Sequence, residues 1–266
     1  MDQYYVIGDP VAHSLSPQIY TKFAEQTGQP LKYDKLQVSL DQLPSVLKKM
    51  IGEGVKGCSV TLPLKAQAFQ LADDCSQRVT QAQAANCLKF DNGKILAENF
   101  DGIGLVCDLR NRGIGLSGKR ILMLGAGGAA RGVLGPILSE QPAQVVIANR
   151  TRAKAKQLAD AFKVIGIGLD DIEGQFDLVI NATSASIQGD IPNIDPAILQ
   201  HCIAYDMMYG QPQTAFQQFA QAQGAVQAID GLGMLVEQAA LSFEWWRDVL
   251  PDTQPIYQWL SKGLEL

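Results

Sequence analysis

The sequence predicts an α/β protein built from two α/β units. Three observations carry that prediction. Short apolar runs alternate with stretches whose apolar residues recur at helical spacing. A glycine-rich turn at residues 125–130 joins one such run directly to a helix. Hydrophobic residues make up 47% of the 266 positions and charged residues 18%, a balance that fills a substantial core. That length fits one large domain or two medium ones.

The elements follow in order. Tyr4 to Gly8 reads as a short buried strand. Ser16 before Pro17 reads as an N-cap followed by the first helical position. Ile19, Tyr20 and Phe23 continue that helix, and Gly28 ends it. Leu36 to Val38 suggests a second strand. Asp41 opens a helix with Leu43, Val46, Leu47 and Met50 on one face, closed by Gly52 and Gly54. Gly57 to Thr61 is strand-like, and Pro63 permits a new helix start. Leu88 to Phe90 and Lys94 to Glu98 flank the turn Asp91-Asn92-Gly93, a hairpin pattern. A second series begins after Asp101, with a helix over Ile103 to Leu109. Strands follow at Arg120 to Leu124, Val145 to Ala148, Phe176 to Ile180 and Cys202 to Tyr205. Helices run from the glycine-rich turn to Leu138, from Ala153 to Phe162, and beyond Gly231 through Leu235, Ala239, Phe243 and Trp246. Strands alternating with helices imply mostly parallel sheets.

Composition excludes several functions. A net charge of -5 and a pI near 5.1 give no basic footprint for nucleic acid. No apolar run reaches the roughly 18 residues of a membrane span. The opening MDQYYVIGDP lacks the charged and apolar regions of a signal peptide. Five cysteines, with no C-x-x-C pair, argue against a disulfide framework and for the cytoplasm. His13 and His201 lie far apart without acidic clusters, so no metal site is expected.

The chemistry starts at the turn Gly125-Ala126-Gly127-Gly128-Ala129-Ala130. It is the G-x-G-x-x-A form of the dinucleotide fingerprint, with its strand before and its helix after. Gly125 allows the tight turn, Gly127 the approach of a pyrophosphate, and Ala130 close packing of helix on strand. The helix start then offers free N–H groups to phosphate. The next strand ends in Asn149-Arg150-Thr151, where an NAD site usually carries an acid. Arg150 suits a 2′-phosphate through its planar fork, and Lys154 adds charge. The expected cofactor is therefore NADP(H). Thr151 also fits a plain helix N-cap, and Arg150 a solvated surface residue.

The substrate is not written in that turn. It is suggested by a set of motifs in order along nearly the whole chain. These are Gly8-Asp9-Pro10-Val11-Ala12-His13-Ser14-Leu15-Ser16-Pro17, Val60-Thr61-Leu62-Pro63-Leu64-Lys65, Asn86, and Asn99-x-Asp101-Gly102. Then come Gly125 to Arg131, Asn149-Arg150-Thr151, Asn181-Ala182-Thr183-Ser184, Asp206-x-x-Tyr209, and the run from Asp230 to Gln238. Together they resemble the shikimate dehydrogenases, which reduce 3-dehydroshikimate to shikimate with NADPH in aromatic amino acid biosynthesis.

The resemblance implies a discontinuous substrate-binding α/β domain, residues 1–100, with C-terminal helices 231–266 returning to it. Residues 101–230 would form a Rossmann-type NADP-binding domain, with a cleft between the two. Lys65 and Asp101 match the family's catalytic pair. Ser14, Ser16, Thr61, Asn86, Tyr209 and Gln238 would join them in binding the hydroxyls and carboxylate of the substrate. Asn181, Thr183, Met207, Gly231 and Met234 would complete the cofactor site. On bland readings Asp101 caps the helix after it, Asn86 and Asn181 are turn residues, and the methionines are core. The expected partner is a small-molecule substrate, with the protein a monomer or homodimer.

Three positions depart from the family pattern. Ser59 stands where Asn is usual, Cys87 where Thr is usual, and Phe100 where Thr is usual. All three fall on the substrate side, so the expectation is a weakened or altered substrate site with NADP binding intact. Alternatives are a quinate-type dehydrogenase or a non-catalytic NADP-binding sensor. Retention of Lys65 and Asp101 argues against the sensor.

Overall fold

The computed structural model describes residues 1–183, 185, 189–209 and 213–264. Ser184 of the Asn181-Ala182-Thr183-Ser184 motif lies outside the described residues. The chain forms two compact units: Met1–Gly104 with Leu235–Gln258, and Leu105–Met234 with the residues from Trp259 onward.

The first unit holds β1 (Asp2–Gly8), α1 (Ser16–Thr27), β2 (Leu31–Gln37), α2 (Leu43–Gly52), β3 (Gly57–Val60) and α3 (Lys65–Leu71). It continues through β4 (Asp74–Cys75), α4 (Gln77–Ala82), β5 (Cys87–Asp91), β6 (Lys94–Glu98) and the start of α5 (Asp101–Asn111). Its six-stranded sheet runs β2-β1-β3-β5-β6-β4. β1 pairs in parallel with β2 and β3, while β5 is antiparallel to both β3 and β6. The predicted hairpin is thus present, with Asn92 and Gly93 both at positive φ. Side chains alternate between the two faces of β1. Ile7 joins Leu47, Val60 and Leu88 in one apolar cluster. Tyr4 faces the other way and packs on Trp246, ring centroids 4.7 Å apart.

Two local readings need correction. The second strand spans Leu31–Gln37, not Leu36 to Val38, and all seven residues pair with β1. It is an edge strand whose Lys32, Asp34 and Lys35 hide the apolar alternation. Ser16 is the first helical residue rather than the N-cap. The amides of Gln18 and Ile19 both donate to the Leu15 carbonyl, which starts the helix one residue earlier.

The second unit contains β7 (Arg120–Leu124), α6 (Gly128–Ser139), β8 (Gln144–Asn149), α7 (Arg152–Phe162) and β9 (Ile165–Gly168). β10 (Leu178–Asn181), β11 (Ile203–Asp206), α8 (Ala215–Ala222) and β12 (Gln227–Ile229) follow. All six strands are parallel, in the order β12-β11-β10-β7-β8-β9. That is the doubly wound arrangement of a Rossmann sheet, and its order reverses between β7 and β10. Both faces are covered, as a parallel sheet requires. Ile121 and Met123 meet Val133, Leu134, Ala155 and Leu158 on one side. Leu122 and Leu124 meet Phe216 and Ala220 on the other. The last helices are α9 (Leu232–Arg247) and α10 (Gln254–Leu264).

Candidate active site and cofactor turn

In the first unit, the end of β3 and a short turn bring Lys65 to the first position of α3. The end of β6 brings Asp101 to the first position of α5. Lys65 Nζ lies 2.7 Å from Asp101 Oδ2, with both side chains mostly out of water. Asn86 Nδ2 donates to the other carboxylate oxygen, Oδ1, at 2.8 Å. The same amide reaches Gln238 Oε1 at 3.2 Å. The Asp101 carboxylate is therefore held at both oxygens and is not spent on capping its own helix. Asn86 is more than a turn residue, because its Oδ1 also accepts the Phe100 amide at 2.9 Å. Lys65, Asn86, Asp101 and Gln238 thus form one hydrogen-bonded set. An ion pair removed from water is costly unless its remaining lone pairs are satisfied, and Asn86 does that.

The other expected substrate residues stand as follows. Ser14 Oγ donates to Ser16 Oγ at 3.1 Å, so the two hydroxyls form a pair of their own. Ser16 is buried and makes no capping bond. Thr61 is half-buried just beyond β3. Tyr209 belongs to the second unit, where burial pushes its hydroxyl pKa up.

The three departures from the family pattern turn inward. Ser59 Oγ accepts a hydrogen bond from Tyr33 at 2.7 Å and lies 3.4 Å from the Tyr20 hydroxyl. Those two rings stack with centroids 4.0 Å apart. Cys87, opposite Ser59 on the neighbouring strand, is fully buried, and burial raises its thiol well above the usual range. Phe100 is buried too, edge-on to Trp245 with centroids 6.1 Å apart. Arg78 lies 5.6 Å from its ring centre. Sequence reasoning missed this surrounding set: Tyr20, Tyr33, Arg78 and Glu98. Its members are far apart in the chain and carry no spacing signal.

The second unit presents the glycine turn at the carboxyl end of β7. Gly125 has φ of +104°, and a Cβ there would press on Thr183 Cγ2 and the Ala182 backbone at 3.1–3.2 Å. Only glycine fits both constraints. Around Gly127 and Gly128, by contrast, a Cβ would meet nothing within 4 Å. The backbone at the α6 N-terminus therefore opens on free space, the form a pyrophosphate needs. Ala126 and Ala129 are partly buried against the core, and Ala130 is wholly inside it. After β8, Asn149 Nδ2 donates to the Thr151 carbonyl at 3.0 Å, while Arg150 and Lys154 are exposed. Thr151 occupies the N-cap position of α7, but its side chain makes no capping bond. Arg152 differs from Arg150 in pairing with Asp171 at 3.3 Å.

Asn181 is fully buried and ties the loop after β10 to the end of β11. Its Oδ1 accepts from Thr183 Oγ1 at 2.7 Å and from the Thr183 amide at 3.1 Å. Its Nδ2 donates to Asp206 at 3.1 Å, and its carbonyl accepts the Met207 amide at 3.0 Å. Gly231 sits so close to the Met207 carbonyl that a Cβ would overlap it. Met207 and Met234 both pack in the core cluster on that face of the sheet.

A Rossmann sheet with an open glycine turn in one α/β unit, and a largely buried Lys–Asp pair in the other, match the class of nicotinamide-dependent oxidoreductases. Comparison with known proteins narrows the class. The family model of the shikimate dehydrogenase substrate binding domain matches residues 6–88. The shikimate/quinate 5-dehydrogenase model matches residues 108–188, and the shikimate 5′-dehydrogenase C-terminal domain matches 231–258. The chain is 50% identical to the shikimate dehydrogenase (NADP(+)) of Aeromonas salmonicida over 270 residues, covering 99% of each. An Ael1 enzyme from Pseudomonas putida has a structure matching at TM-score 0.93 and 44% identity, over 100% of this chain and 99% of that one. The shikimate 5-dehydrogenase of Thermus thermophilus, in complex with NADP(H) and shikimate, matches at TM-score 0.91 and 30% identity, covering 99% of this chain and 100% of that one. The chain belongs to the shikimate dehydrogenase family.

Proposed function

We propose that the protein catalyses the reversible NADPH-dependent reduction of 3-dehydroshikimate to shikimate, a step of aromatic amino acid biosynthesis. The observation that carries this reading is the Lys65–Asp101 pair, fixed at 2.7 Å with Asn86 on the second carboxylate oxygen. The substrate is taken by the unit of Met1–Gly104 with Leu235–Gln258, close to the expected 1–100 with 231–266, and NADP by the unit built on Leu105–Met234, close to the expected 101–230.

The cofactor supplies the hydride for the ketone carbon. The chain must hold the ketone and move one proton at its oxygen. The Lys65 ammonium donates to the carbonyl oxygen and provides that proton. Asp101 orients the ammonium and accepts from a neighbouring substrate hydroxyl. Asn86 and Gln238 take a further hydroxyl, and Thr61 and Tyr209 serve as the remaining substrate contacts. Ser14 and Ser16 present paired hydroxyls to the carboxylate. On the cofactor side the amides of the turn from Gly125 to Ala129 hold the pyrophosphate. Asn149, Arg150, Thr151 and Lys154 hold the ribose 2′-phosphate. Asn181 and Thr183 brace the loop beneath, and Met207, Gly231 and Met234 flank the nicotinamide.

Among the described residues no helix is long and apolar enough to cross a membrane. Five free cysteines suit a reducing cytoplasm, where we place the activity. All the named groups come from one chain, which suits a monomer or a homodimer.

The test is the rise in reduced-nicotinamide absorbance when the protein is mixed with shikimate and NADP. Quinate and NAD serve as the comparison substrates. Turnover is expected on shikimate with NADP and is expected to be much slower in the other combinations. Tight NADP binding without turnover on either acid would overturn the reading.

A further inference from the structure

The turn that delivers Asp101 is bonded almost wholly by side chains. Each of three successive amides donates to one. Asn99 N donates to Glu98 Oε2 at 2.9 Å, Phe100 N to Asn86 Oδ1 at 2.9 Å, and Asp101 N to Asn99 Oδ1 at 3.1 Å. Asn99 is itself anchored, its Nδ2 donating to the Ala84 carbonyl at 2.9 Å. The first of these amides rests on the Glu98 carboxylate, so its placement helps fix where the turn begins. That carboxylate is 9% exposed and receives a two-pronged grip from Arg78: Nε to Oε2 at 3.1 Å and Nη2 to Oε1 at 2.8 Å. The same guanidinium lies against the Phe100 ring, whose edge meets Trp245. Lys89 closes the row, its Nζ 5.8 Å from the Trp245 ring and bonded to the Trp245 carbonyl at 3.0 Å. Arg78 thus touches the turn twice, once through charge at Glu98 and once through the ring at Phe100.

We propose that Arg78 is a positioning residue for Asp101, acting through Glu98 and Phe100, and that this grip sets the rate of the proton step. The proposal rests on the reading of Lys65 and Asp101 given above. Lysine cannot substitute for arginine there. A point charge satisfies one carboxylate oxygen, whereas the planar fork fixes both and still lies along the ring. Removing Arg78 leaves a buried, unpaired carboxylate that pulls on the turn. Replacing Glu98 with Gln at the same time removes that charge, so the double variant should be less impaired than the single one.

The experiment compares Arg78→Ala, Arg78→Lys and Arg78→Ala/Glu98→Gln in two readouts. The first is shikimate-dependent NADP reduction, resolved into kcat and KM. We expect kcat to fall by about tenfold to a hundredfold in Arg78→Ala, in line with a lost charged hydrogen bond. The shikimate and NADP KM values should change less than about threefold, the signature of an interaction felt mainly in the transition state. Arg78→Lys should rescue little of the loss, and the double variant should recover part of it. The second readout is amide hydrogen exchange, which needs no substrate. Exchange at Asn99, Phe100 and Asp101 should quicken at least about tenfold in Arg78→Ala, while amides of β7 and β10 stay as they were. Unchanged exchange at those three amides, or full rescue by lysine, overturns the proposal. A faster exchange in a protein whose parent turns over no shikimate would instead overturn the functional reading and leave the grip on the turn standing.

Discussion

The two units make their sites from different material. The first builds its candidate catalytic set from side chains that hold other side chains: Lys65, Asn86, Asp101 and Gln238. The second builds its candidate cofactor turn from backbone, with Gly125 at positive φ and open space around Gly127 and Gly128. A backbone site is specified by where side chains are missing, and it tolerates change around its rim. A side-chain network has no redundancy, since each member satisfies a buried partner.

The largest effect should come from breaking the side-chain set. Lys65→Met should lower kcat by about a thousandfold, within the range for loss of a general acid. Asp101→Asn should do nearly as much, because it leaves the ammonium without its counter-charge. NADP affinity, followed by fluorescence of the reduced cofactor, should change less than about twofold if the units divide the work as proposed. A matching loss of NADP affinity would break the comparison.

Next comes the backbone site. Gly125→Ala places a Cβ against Thr183 and Ala182 at a residue with φ of +104°. Strain of about 1–3 kcal/mol should appear as weaker NADP binding, by about tenfold to a hundredfold, with some loss of stability. Gly128→Ala meets no atom within 4 Å, so its effect on folding should be small. Any loss of affinity there reads the space reserved for phosphate. Titration calorimetry with NADP on both variants separates the two cases.

This contrast also explains what could be read from the chain. The glycine turn of the second unit and the strand and helix around it were legible. The three are contiguous, and the spacing of Gly125, Gly127 and Ala130 is itself the physical requirement. Ile165–Gly168 escaped notice because its alternation is only four residues long and half glycine, and α8 and β12 were not read either. In the first unit periodicity located β1, α1, α2 and the hairpin. Nothing in the spacing says that Lys65 will meet Asp101, 36 residues away. Only the resemblance to a family brought those positions together. Arg78 and Glu98 lay outside its motifs and emerged only from the folded geometry. Phe100 shows the same limit from the other side. The sequence gives no direction for its ring, which turns to Arg78 and Trp245 while its amide donates to Asn86.

A smaller effect is expected at the rim of the backbone site. Arg150 is exposed, so Arg150→Gln should cost little stability. It should weaken NADP by about tenfold while leaving NAD nearly unchanged, the loss of one charged contact to a 2′-phosphate. Equal losses for both cofactors would remove Arg150 from that role. Ser59→Asn tests the other unit in the same spirit. The extra atoms must displace Tyr33, stacked on Tyr20 and bonded to Ser59 at 2.7 Å. Overpacking of this kind costs about 1–3 kcal/mol. Restoring the usual family residue should therefore lower Tm without raising kcat. A faster enzyme would instead mean that Ser59 weakens the site.

The smallest effect probes a buried charge network in the second unit. Asp108 accepts from the Tyr205 hydroxyl at 2.8 Å and from Arg112 Nε at 2.8 Å. Burial nonetheless holds its carboxyl above the usual range, outweighing Arg112 and Tyr205. The native state thus binds a proton at Asp108 more tightly than the unfolded chain does. Between the ordinary and the raised value the folded form carries more protons, so this group's contribution to stability falls as pH rises through that window. It is the opposite of the usual salt-bridged aspartate, whose contribution falls on acidification. Asp108→Asn cannot titrate. Its stability relative to the parent should therefore improve from acid toward neutral pH. Urea unfolding of both proteins at matched pH values reads that difference directly. If the parent instead gains on the variant as pH rises, Arg112 outweighs burial, and the second unit leans on paired charge as the first one does.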